Sequence, residues 1–200
     1  MMKSVVLGAA LGAMLVSGAA SAQQQSGAPQ AGRPEVKTVE DWFVRCFQIQ
    51  SPSPCDMYQE LDNRETRQRI LSLSIAYVPS MDRHALQITV PLEIAIQKGL
   101  VIQTDTYKSP VLKYRRCDRN GCYVEQAVDS TLVEGLARSG AAGKVNIVAD
   151  NGKAFSLNFS LKGFSAAHDD MVAQARSKAK AVEKPAEGAP AAKPRGRAQQ

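Results

Sequence analysis

Cys117-Asp118-Arg119-Asn120-Gly121-Cys122 is the stretch that decides the fold. Asn-Gly is the strongest short hairpin signal, because both residues tolerate the positive φ angles of a type I′ turn. A cysteine on each side would clip the two strands as they leave the turn. Such a clip fixes strand register and needs an oxidising compartment. Val111 to Cys117 is expected to run up to this tip as a strand, and Cys122 to Val128 to run back.

Outward from the tip, the chain reads as short strands. Trp42 to Ile49 has β-branched and aromatic content, with Trp42, Val44 and Cys46 on one face. Ser51-Pro52-Ser53-Pro54 cannot continue a strand, since proline lacks the N–H donor a ladder needs. Cys55 then opens a second strand. Leu71, Leu73, Ile75 and Tyr77 alternate with Ser72, Ser74 and Ala76, and Leu86, Ile88 and Val90 alternate likewise. Leu100 to Asp105 is a further strand. Asp150-Asn151-Gly152 closes a last hairpin, with Phe155, Leu157, Phe159 and Leu161 on one face. A helix follows Asp129 or Ser130 as cap, and a short one from Ala166 to about Arg176 is capped by Ser165. About eight strands and two short helices, without βαβ spacing, predict an all-β, antiparallel β-sandwich.

Four cysteines allow three connectivities. Cys46–Cys55 and Cys117–Cys122 are favoured, because each pair straddles a turn.

The N-terminus reads as an export signal over residues 1–22. Lys3 gives a positive start, Val5 to Val16 an apolar run, and Ala20-Ser21-Ala22 a small-x-small site with cleavage after Ala22. Residues 23–37 read as a disordered Gln/Gly/Ala/Pro linker, 38–176 as the sandwich domain and 177–200 as a disordered tail. The formal charge of +6 is unevenly placed. Arg176 to Gln200 holds seven Lys or Arg against two Glu, and Lys3 lies in the signal, so the body is neutral. A neutral body argues against a nucleic-acid-binding fold, which would need a basic face on the domain itself. The basic tail reads first as a solvated spacer; the sharper reading is weak attraction to anionic surfaces such as membrane phospholipid or lipopolysaccharide. No later apolar run approaches the ~20 residues of a spanning helix.

Chemistry-bearing patterns are few. His84 sits in a turn and His168 in the last helix, and both read as surface histidines. No metal site and no cofactor is expected, because zinc needs three or four convergent ligands. G-x-S-x-G, Walker A and G-x-G-x-x-G motifs are missing, and the C-x4-C spacing of Cys117 and Cys122 is not a redox C-x-x-C. The chain is not expected to be an enzyme. Lys113, Arg115, Arg116 and Arg119, with Tyr114 and Tyr123, form a candidate surface for an anionic partner such as a glycan or lipid headgroup.

Several short patterns then coincide: Trp42-x-x-Arg45-Cys46, Cys55, Val90-Pro91-Leu92, Lys98-Gly99-Leu100 with Asp105, Cys117 with Gly121-Cys122, and Leu161-Lys162-Gly163-Phe164 with Ala167. In this order they resemble the invasion-associated locus B family of exported bacterial proteins, from about Thr38 to Gln174. Glu93 stands where many members carry glycine. The resemblance implies an immunoglobulin-like sandwich in a Gram-negative periplasmic, outer-membrane-associated or secreted protein, and it supplies no catalytic residues. The expected function is a non-enzymatic binding module of the envelope, with a protein, envelope or host-surface partner. The alternative is an envelope-maintenance or stress protein with a structural role.

Overall fold

The computed structural model describes residues 33–183. The signal-peptide reading, its cleavage at Ala22 and most of the linker and tail lie outside these residues. The strands are β1 (Glu35–Val39), β2 (Trp42–Cys46), β3 (Cys55–Asp62), β4 (Arg69–Val78), β5 (Arg83–Val90), β6 (Leu100–Gln103), β7 (Arg116–Asp118), β8 (Gly121–Val128), β9 (Ala142–Val148) and β10 (Ala154–Ser160). The helices are α1 (Ser130–Ala137) and α2 (Phe164–Glu183).

These strands make an antiparallel, immunoglobulin-like β-sandwich, the fold class expected from the sequence. One sheet has the order β1-β2-β3-β4-β5-β8-β7, the other β10-β9-β6. The alternation that identified the strands also sets their buried faces. Trp42, Leu71, Leu73, Ile75 and Ile88 are fully buried, as are Ile102 and Val145 of the smaller sheet, within one continuous core. Burying a side chain of this size is worth about 1.5–3 kcal/mol over leaving it exposed. The core also holds one satisfied amide. Gln59 of β3 donates to Asp41 O at 2.8 Å and accepts from Ser160 N at 2.8 Å, tying the large sheet to the end of β10.

Both disulfides pair as expected from the turns. Each joins residues directly opposite in the ladder, Cys46 with Cys55 and Cys117 with Cys122. At the tip, Gly121 has φ +140°, and a Cβ there would lie 2.4 Å from the carbonyl oxygen of Val90. Only glycine lets β7–β8 close against β5.

Several expected boundaries move. Glu35–Val39 is a strand paired in register with β2, not linker, so the ordered chain starts before Thr38. Lys37 and Thr38 are both polar, which breaks the alternation, and four of the five residues are exposed, which hid the strand. The last helix is 20 residues long and runs to Glu183, past the tail boundary at 177. Its Lys and Ala residues are good helix formers, and packing of its apolar stripe nucleates the rest. That stripe is Phe164, Ala167, Met171 and Ala175, all buried. Trp42 meets Phe164 edge-to-face at 5.3 Å. The helix starts at Phe164, so Ser165 lies inside it rather than at the cap. Asp129 occupies the cap position of α1, yet its side chain makes no capping bond. The segment before Arg116 is mostly not strand; Leu112 forms an isolated bridge to Leu100 instead. Glu93 adopts φ +64°, so the chain keeps a glycine-type backbone there with a glutamate on it.

Candidate binding surfaces and a histidine pair

The outward face of the large sheet has short side chains at its centre and long ones at its edges. Ser72, Ser74 and Ala76 of β4 face out beside Ala85 and Gln87 of β5. Arg45, Tyr58 and Phe43 rise on one side, Arg116, Tyr123 and Glu125 on the other. The result is a polar trough, whose two parts enclose about 470 and 460 Å³. Its cations are already engaged. Arg45 makes a two-pronged pair with Asp56, at 2.9 and 2.5 Å, and lies 3.7 Å from the centre of the Tyr58 ring. Asp56 also accepts from Ser74 at 2.8 Å.

The basic cluster beside the opening hairpin is neutralised in the same way. Arg116 bonds Asp118 at 2.8 Å and Glu125 at 2.9 Å, and stacks 3.8 Å from the Tyr123 ring centre. The Glu125 bond leads in holding its guanidinium above its ordinary range. Asp118 is held below the ordinary carboxylate range, chiefly by the Asn120 N–H, then by Tyr123 and Arg116. Arg115 approaches Glu125 at 3.9 Å. Lys113 and Arg119 are exposed and make no ion pair among the described residues. Tyr114 turns inward with its hydroxyl buried and unpartnered, and burial raises its pKa. The expected cationic, aromatic surface therefore reduces to Lys113 and Arg119. The reason is local: Asp118 and Glu125 sit one turn and one strand away from the arginines they neutralise.

An apolar cleft of about 600 Å³ opens at one end of the sandwich. One wall is the β2–β3 loop, with Phe47, Ile49, Pro52 and Pro54; the others are Pro79 and Ser80 after β4, and Lys178 with Ala179 on α2. The loop is held from several sides. Cys46–Cys55 closes its base, Phe47 N–H donates to Pro54 O at 2.9 Å, and its prolines have fixed φ. Ile49 stays 48% exposed there, so an apolar side chain is presented rather than covered. Lys178 at the rim reaches Glu35 of β1 at 3.5 Å. The sequence showed this loop only as a turn between cysteines. Its wall from α2 stays hidden in the sequence because residues 177–183 have the Lys/Ala composition of the tail.

His84 and His168 are not separate surface histidines. Their Nε2 atoms lie 2.9 Å apart, joining β5 to α2. His84 is only 9% exposed, because it continues inward the alternation of Leu86, Ile88 and Val90. Extending that alternation two residues back was the signal available. Burial, then the charge of His168, holds its imidazole below the ordinary range, while Asp82 works weakly the other way. Beside the pair, Arg176 of α2 donates to the Tyr77 hydroxyl at 2.9 Å and reaches Asp82 at 3.4 Å, and the Tyr77 hydroxyl bonds Asp82. The Tyr77 bond leads in holding Asp82 below the ordinary carboxylate range. Among the described residues, no three His, Cys, Asp or Glu side chains converge on one point. No described helix is long and apolar enough to cross a membrane.

The architecture has a counterpart of known structure. The crystal structure of invasion associated protein B from Bartonella henselae superposes with a TM-score of 0.61 at 23% identity, covering 70% of this chain and 97% of that one. At that identity the likeness establishes the fold. Two invasion protein B homologues of Brucella abortus, from strain 2308 and from biovar 1 strain 9-941, are each 28% identical over 134 residues, 66% of this chain and 76% of theirs. Residues 42–172 match the model of the invasion associated locus B (IalB) protein family. That span takes in both disulfides, the β2–β3 loop and the histidine pair, so the chain belongs to the invasion associated locus B family.

Proposed function

We propose that this chain is an exported, non-enzymatic binding module of the bacterial envelope or cell exterior, and that its apolar cleft takes an apolar side chain of a polypeptide partner. The observation that carries the reading is the cleft itself. It is about 600 Å³, it is lined mainly by Phe47, Ile49 and three prolines, and its loop is closed by a disulfide. A cleft held open before binding avoids the ordering cost that weakens flexible sites. Beside it, sharing Phe47, lies the polar trough, whose hydroxyl and amide groups offer hydrogen bonds to an extended chain. Lys113 and Arg119 add unpaired positive charge for encounter with an acidic surface. The names of the Brucella relatives, invasion protein B homologues, support a partner on a host surface.

The test is site-specific crosslinking. A photoreactive phenylalanine analogue replaces Ile49, in bacteria alone and in bacteria presented to host cells. The expected product is one discrete, protease-sensitive adduct, lost when Phe47→Ser removes the cleft wall. An adduct that resists protease, or that persists at equal yield in Phe47→Ser, overturns the reading.

A further inference from the structure

We propose that His84 and His168 form a proton-operated latch, which pins the β4–β5 hairpin to α2 while at least one imidazole is neutral and lets go when both are protonated. The contact runs from Nε2 to Nε2 at 2.9 Å. One ring must donate its N–H and the other must accept, so a closed latch requires at least one neutral ring. The ring centres are 5.1 Å apart, close to the nitrogen separation plus two ring radii. The rings therefore meet head-on, as an N–H···N bond demands. A chelated metal would instead need both lone pairs to converge at an angle on an ion about 2.0–2.1 Å away. With both rings charged, two N–H groups point at each other in a half-buried site, and the bond is gone.

The surrounding charges leave the pair exposed to this switch. From β4, Tyr77 packs on His84 with ring centres 5.2 Å apart and brings no charge. From the β4–β5 turn, Asp82 is engaged by the Tyr77 hydroxyl and by Arg176. From β8, the residue opposite His84 is the apolar Val128. On α2 itself, Asp169 reaches His168 Nδ1 at 3.2 Å but is exposed, and Asp170 is paired with Lys37 of β1 at 2.9 Å. No carboxylate among the described residues bonds His84.

Arg176 makes a second clamp two turns along the same helix, through Tyr77 and Asp82. That clamp does not depend on imidazole charge. Opening the latch therefore loosens the start of β5 from α2 around His168, while the buried stripe and the Arg176 clamp keep the rest of the helix in place. Pro79 and Ser80, which wall the cleft, lie between Tyr77 and Asp82, the two residues that Arg176 holds, so that turn stays on the helix when the latch opens.

The test is amide hydrogen exchange on the full chain, without ligand, at pH 7.5 and 5.5, corrected for intrinsic rates. Losing one charge-assisted bond corresponds to about a tenfold rise in local opening. That rise is expected around His84 at the start of β5 and around His168 on α2, and not in the Tyr77–Asp82 turn, β2 or β3. His84→Gln and His168→Gln each keep a hydrogen-bonding side chain but cannot take up the second charge, so each is expected to lose the acid step. A wild-type chain with no local acid step, or Gln variants that keep it in full, overturns the latch. Imidazole ¹⁵N titration of the wild type is the second measurement. Two coupled steps support the latch, and two independent single-site curves refute it.

Discussion

The chain has two Asn-Gly turns, and they differ in what faces the glycine. At Gly152 φ is +83° and nothing lies within 4 Å of where a Cβ would stand. Gly152→Ala should therefore cost only the left-handed backbone penalty, about 1–2 kcal/mol. At Gly121 φ is +140°, a region open essentially to glycine, and strain there costs about 1–3 kcal/mol. The added Cβ would also stand 2.4 Å from Val90 O and 3.1 Å from Thr89 Cγ2. Val90 is backbone of β5, paired in register with Cys122, so it cannot rotate away. Overpacking of this kind adds about 1–3 kcal/mol. The Gly121→Ala total is then about 2–6 kcal/mol. For a domain of this size that is a Tm drop of about 10 °C, against about 4 °C for Gly152→Ala. Urea titration of both variants, with the disulfides intact, measures the difference. Equal losses at the two turns would show that Asn-Gly chemistry alone, and not the wall of β5, sets the requirement at Gly121.

Replacing Cys117 and Cys122 by serine should cost about 2 kcal/mol, the loop-entropy value for so short a ring; an unchanged urea midpoint would remove the staple from the account of stability. Acid should act in two windows. His84 is held below its ordinary value of 6.5, so the folded state takes up its proton less readily; stability is full above that pH and falls as pH drops below it, a step His84→Gln should erase. Asp82 and Asp118 are held below 3.8, so their contribution is present above that pH and lost only on further acidification, which a Tm series from pH 8 to 2 would resolve. Trp42→Ala, removing a fully buried ring and its bond to Ser160 O, should cost about 3–5 kcal/mol by denaturant titration. Glu93→Gly should raise stability by about 0.5–1 kcal/mol, since relief of the left-handed strain exceeds the entropy glycine loses.

The large sheet was legible because its signals are local. Leu71 to Tyr77 and Leu86 to Val90 alternate cleanly, and both cysteine pairs straddle their turns. What stayed hidden depends on partners far along the chain. Glu35 to Val39 becomes a strand through its ladder with β2. Residues 177–183 become helix through the stripe that begins at Phe164. The cleft needs α2 and the β2–β3 loop, which lie more than 120 positions apart. The histidine pair is separated by 84 residues, and no short-range pattern announces it. The expected basic surface was reduced to Lys113 and Arg119 for the opposite reason. Its cations were visible in sequence, but cross-strand pairing with Glu125 and the Asx turn of Asp118 neutralised half of them.

The two ends of the domain close on each other. Lys37 reaches Asp170 across 133 positions, and Trp42 bonds Ser160 O across 118. A ribosome delivers the first of these partners long before the second. β1 and β2 must therefore wait, with the Trp42 ring uncovered, until residues 160–175 arrive to shield it. The domain completes only as a whole chain, and the waiting interval is when a holding chaperone has most surface to grip. The indole that ends that wait is the only tryptophan in the protein, so its fluorescence marks the moment of closure.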